Sequence, residues 1–108
     1  KDHRFFMTSL ENLALTNAKA GKYDKAAPIL RGILKSKESK LGTNHPSTIE
    51  TMGMLAFVLI KGIDLEEAVV LLGKVSEWQK ENLEPTHSSV KMTNDAIHAV
   101  ESLMNGNS

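Results

Sequence analysis

The chain repeats itself with a period of 42 residues. Displaced by that offset, Leu13-Ala14 falls on Leu55-Ala56, Ala26 on Ala68, Leu30 on Leu72 and Leu41 on Leu83. His3, His45 and His87 coincide as well. A fixed period of about 20–50 residues marks stacked units, none of which buries its apolar face alone. Such units share one continuous core, and what the array then offers is mostly surface. The period therefore points to a binding module rather than a catalyst.

Within each period the pattern is helical. Leu10, Leu13, Ala14 and Asn17-Ala18 follow helical spacing, and Gly21 reads as a helix stop. Asp24 is the expected N-cap of a second helix, with Pro28 close to its first turn and Ala27, Leu30, Ile33 and Leu34 on one side. Gly42 breaks that helix after Leu41. Asn44-His45-Pro46 reads as a turn and a helix start, followed by a third helix over about 47–61 that Gly62 closes. Asp64 and Glu67 have the spacing of a capping box for a fourth helix carrying Ala68, Leu71, Leu72, Val75 and Trp78. After a turn at Pro85 to Ser88, a fifth helix carries Met92, Ala96, Ile97, Val100, Leu103 and Met104 as its expected inner stripe, ending near Asn105-Gly106. Lys91, Asn94, Asp95, His98, Glu101 and Ser102 form its polar side, which suits a capping helix. No alternating strand pattern competes, so the fold class is all-α.

Composition narrows the function classes. The 108 residues contain no cysteine, which rules out disulfides and thiolate metal sites and suits an intracellular, cytoplasmic setting. The longest apolar run, Met54 to Ile60, is far short of the roughly 20 residues that span a bilayer, so no membrane role is expected. The sequence has no leader and does not begin with Met, so it reads as part of a longer protein. Net charge is zero, yet residues 1–45 carry nine Lys/Arg against four Asp/Glu and residues 46–108 carry four against nine. That asymmetry can steer association or head-to-tail stacking, but without a basic aromatic surface it does not point to nucleic acid.

Leu13-Ala14, Gly21-Lys22-Tyr23 and Ala26 resemble the tetratricopeptide repeat. Asn12-Leu13-Ala14, Ala26-Ala27-Pro28 and Leu41-Gly42-Thr43-Asn44-His45-Pro46 are similar, more narrowly, to the 42-residue repeats of kinesin-light-chain-type proteins. The second unit departs from the pattern: Gly62 comes one position early, Leu65 stands where the aromatic should be, and Leu83-Glu84-Pro85-Thr86-His87-Ser88 keeps the histidine of the linker but loses the glycine and the proline after the histidine. The resemblance implies a right-handed α-α superhelix of five helices, about two and a half hairpins. Its units would be repeat 1 at about 7–45, repeat 2 at about 47–87 and a final or capping helix at about 88–105. Small residues at Ala14, Ala26, Ala56 and Ala68, with Leu13 and Leu55, would let paired helix axes approach to about 8–10 Å.

No catalytic residue and no cofactor are expected. There is no Gly-x-Ser-x-Gly elbow and no glycine-rich phosphate loop, and Glu66 and Glu67 read as cap residues. Metal ligands sit about 2 Å from their ion, whereas equivalent positions in successive hairpins lie at least about 8–10 Å apart. The periodic histidines are thus expected to pin their own linkers, and His98 to be solvated. Trp78 is expected in the core, and Phe5-Phe6 at the N-terminal edge.

By the same resemblance, the first helix of each hairpin lines a concave face. Its inward positions would be Thr8, Glu11, Asn12, Leu15 and Lys19, then Glu50, Gly53, Met54, Phe57 and Lys61, then Met92, Asp95, Ala96 and Ala99. Asn12 matches the asparagine with which family members hold a peptide backbone. Met54 and Ala96 replace it in the later units, so the implied groove is largely apolar and suited to a protein or peptide ligand, as in an adaptor or scaffold. The competing expectation is structural: assembly of a larger solenoid, or a homo-oligomer formed through the terminal helix. A third makes the segment a regulatory part of a multidomain enzyme.

Overall fold

The computed structural model describes residues 3–106, with side chains from Thr8 onward. Five helices follow one another: α1 (His3–Lys19), α2 (Tyr23–Leu41), α3 (Pro46–Lys61), α4 (Leu65–Asn82) and α5 (Ser88–Met104). The starts of α2 and α4 are 42 residues apart, as are those of α3 and α5, so the sequence period is also the structural period. Each helix packs chiefly on its neighbours in the chain, giving a superhelical stack of 48 × 32 × 20 Å.

The core runs through the stack. Ala14, Ala26, Leu30, Ile33, Met52, Leu55, Ala56, Ala68 and Val100 are essentially inaccessible to solvent. The alanines are buried between packed helices, and a longer side chain there would force the axes apart. Leu13 differs from the expectation. It is 50% exposed, whereas its equivalent Leu55 is buried because α3 packs between α2 and α4.

The two hairpin turns close in the same way. Gly21 N–H donates to Ala18 O and Lys22 N–H to Asn17 O; 42 residues later Ile63 N–H donates to Ile60 O and Asp64 N–H to Leu59 O. This paired pattern needs a left-handed residue just beyond the helix. Gly21 supplies it at φ 79°, but in the second turn the residue is Ile63, at φ 66°. Gly62 stands one place earlier because of a close approach: a Cβ there would lie 3.3 Å from Tyr23 Cβ and 3.4 Å from the Val58 carbonyl oxygen. The glycine serves packing between units, and the isoleucine bears the backbone conformation.

His45 and His87 cap α3 and α5, each accepting at Nδ1 from the backbone N–H two residues on, Ser47 and Ser89, at 3.1 Å. The side chains of His3 and Phe5-Phe6 lie outside the described residues.

Three local expectations are corrected. The cap of α2 is Lys22 rather than Asp24, and Pro28 lies inside the helix; the Asp24 carbonyl it leaves without a partner belongs to an exposed residue that water can serve. Asp64 is the N-cap of α4 but makes no side-chain cap bond, so no capping box forms. Arg31 on α2 draws the carboxylates away: its Nε donates to Glu67 Oε2 at 2.9 Å, its Nη2 to Oε1 at 2.5 Å, and Asp64 lies 3.7 Å from it. Finally, the buried line of α5 is Thr93 and Val100 with Ala96 and Ile97 half-buried, while Met92, Leu103 and Met104 are exposed. Among the described residues that helix packs chiefly on α4, so its covered stripe is narrow.

Candidate functional site

Consecutive first helices of the hairpins barely touch, so a groove opens between α1, α3 and α5 and reaches down to the second helices. It encloses about 940 Å³, at the upper end of what binding pockets offer. Its walls carry Leu15, Met54, Phe57 and Met92; its floor includes Leu72, Val75 and Trp78. Leu15, Phe57 and Met92 are 41%, 57% and 70% exposed, which marks apolar surface left open to solvent rather than folded into the core.

Of the residues assigned to the concave face from sequence, Leu15, Lys19, Glu50, Gly53, Met54, Phe57, Met92 and Ala96 line this groove. Thr8, Asn12, Asp95 and Ala99 are exposed outside its lining, and Asp95 pairs with Lys91 at 3.3 Å. Lys61 also lies outside the lining, but its ammonium stands 5.5 Å from the centre of the Phe57 ring, within cation–π range. Glu11 is engaged elsewhere. Lys37 on α2 donates to Glu11 Oε2 at 2.8 Å and to Thr51 Oγ1 at 2.9 Å, tying α1, α2 and α3 together.

The floor is where the sequence reading stopped short. Trp78 is half-buried rather than enclosed, and its indole N–H donates to Asn44 O at 2.7 Å, fastening α4 to the linker before α3. Gln79 is 6% exposed; its Nε2 donates to Ser89 O at 3.4 Å while its Oε1 has no partner among the described residues. Second-helix side chains reach the groove because Gly53 on α3 and Ala96 on α5 leave room. A Cβ built at Gly53 would meet nothing within 4 Å. Helical periodicity puts Trp78 and Gln79 on the inner side of α4 but cannot say that the facing helices stand apart.

The groove has charge at its two ends. Glu50 lies near the start of α3, Lys19 and Lys61 at the last turns of α1 and α3. Among the described residues none of the three is in an ion pair. Titration is perturbed away from the groove. The Arg31 hydrogen bonds hold the Glu67 carboxyl below its ordinary range, and the same bonds raise the Arg31 guanidinium. No group of three or more metal-ligating side chains converges among the described residues, and no described helix is long and apolar enough to cross a membrane.

Residues 6–47 match the family model of the tetratricopeptide repeat. No curated protein matches the sequence significantly. Among solved structures, a proposed kinesin light chain of Podosopora anserina, built of nearly identical tetratricopeptide-like repeats, superposes with a TM-score of 0.80 at 24% identity. The match covers 98% of this chain and 50% of that one. A variant of the same protein superposes with a TM-score of 0.81, again at 24% identity, with 98% and 50% covered. The chain thus spans about half the length of these structures, and at that identity the likeness is one of fold.

Proposed function

Because residues 6–47 match the tetratricopeptide-repeat model and the chain has the fold of kinesin-light-chain-type repeats, we propose that it is a non-enzymatic interaction module that holds a peptide or helix of a partner protein in its concave groove. Repeats of this family generally mediate protein–protein interaction. The observation that carries the groove reading is the row of exposed apolar side chains, Leu15, Phe57 and Met92, around a cavity of about 940 Å³. A packed core would have hidden them, and a surface with no partner gains nothing by leaving them in water. An adaptor or scaffold role follows from that surface.

The test compares partners recovered from cell lysate by the natural chain and by a Met54→Glu/Phe57→Ala variant shown to be equally helical by circular dichroism. Partners lost by the variant support the groove; the same partners bound by both refute it. A second reading, self-association, is favoured by the apolar end of α5, where Leu103 and Met104 are 50% and 46% exposed. It predicts a sedimentation mass that rises with concentration and falls on Leu103→Glu substitution.

A further inference from the structure

We infer that the groove takes an amphipathic helix that runs antiparallel to α3, bearing an acidic residue near its N-terminus and a basic residue eleven positions later. The inference rests on the groove reading above and specifies the partner's chemistry.

The helical form follows from the lining. A backbone lying extended in a groove walled by Leu15, Met54, Phe57, Met92 and Ala96 would find few groups to pair its N–H and C=O. Unpaired peptide groups there carry a desolvation cost, which a helix avoids by bonding internally. The small side chains of Gly53 and Ala96 on facing helices leave room for a third helix to lie between them.

The charge pattern follows from the ends. Glu50 and Lys61 are eleven residues apart on α3, about 16 Å along its axis. Lys61 stands just outside the lining, over the Phe57 ring, whereas its equivalent on α1, Lys19, lines that end of the groove. An occupant helix reaching both ends therefore needs opposite charges about eleven residues apart, a spacing that returns to the same helix face. Its acid belongs at the lysine end and its base at the Glu50 end. The occupant's own dipole favours acid at its N-terminus and base at its C-terminus. Its N-terminus then lies over the C-terminal ends of α1 and α3.

The test is a selection from a displayed library of helical peptides with randomised surface positions, run on the natural chain. Counter-selection uses Gly53→Leu, which adds bulk to the groove at a position where a Cβ meets nothing within 4 Å. Enriched peptides that Gly53→Leu no longer binds, with acid and base eleven apart in that order, are expected. Binding of a selected peptide should weaken about tenfold in Glu50→Lys and recover when the peptide's base is changed to an acid. Peptides that depend on Gly53 but share no such pattern, or that lack helix on binding, overturn the inference and leave the groove reading intact. Peptides indifferent to Gly53→Leu, or none enriched, overturn both.

Discussion

Ile63 is the position where the second unit conflicts with its own backbone, and Ile63→Gly is expected to stabilise the protein. The residue sits at φ 66°, where a β-branched L-residue crowds its own carbonyl at a cost of about 1–2 kcal/mol. It is 72% exposed, so removing its side chain gives up little burial. Glycine makes the unfolded chain more flexible, which offsets roughly 0.5–1 kcal/mol of the relief. The net gain is then about 0.5–1 kcal/mol, equivalent to a rise in Tm of roughly 3–6 °C for a domain of this size. Ile63→Asn should gain as much, since asparagine tolerates the left-handed region without the entropic penalty. Gly62→Ala is the opposing control. Its Cβ would press on Tyr23 Cβ at 3.3 Å, so it should lower Tm, although alanine is the better helix former. Thermal unfolding followed by circular dichroism reads all three. A lower Tm for Ile63→Gly, or a higher one for Gly62→Ala, would refute the reasoning that the glycine is placed for packing and the isoleucine bears the turn.

Two further outcomes follow from the caps and the ion pair. Glu67→Gln should cost well under about 1 kcal/mol at neutral pH, because the pair with Arg31 is more than one-third exposed. Because Glu67 titrates below its ordinary value of 4.5 when folded, its stabilisation is complete above that value and is lost as pH falls through the lower, folded one. Denaturant curves of natural and variant chains should therefore differ at pH 7 and converge in acid; a difference that grows in acid would contradict this. His87→Ala should cost about 1 kcal/mol through loss of the α5 cap, and His87→Asp should restore most of it. Equal melting of His87→Ala and the natural chain would show that the imidazole contributes nothing to the helix start.

Most of the architecture was legible in the residues. The 42-residue period, the alanines at helix contacts and the glycines and linkers place five helices to within a few positions, because helix formation and stopping are local and periodicity reports which side is buried. Resemblance also placed Leu15, Met54 and Phe57 on the groove. What local patterns could not carry was competition between elements. Asp64 and Glu67 have the spacing of a capping box, but Arg31, 36 residues before Glu67, offers the carboxylate two charge-assisted bonds that a cap does not. Glu11 has the spacing of a groove residue, yet Lys37 draws it into a three-helix tie.

The sequence by itself determines that this is a helical array of repeated units, since period, caps and apolar spacing act over a few residues. The tertiary structure decides where the array is open. The gap at Gly53 and Ala96, the floor provided by Trp78 and Gln79, and the shift of glycine to position 62 beneath Tyr23 all depend on distances between helices. Those distances arise only when side chains far apart in the chain meet and exclude one another.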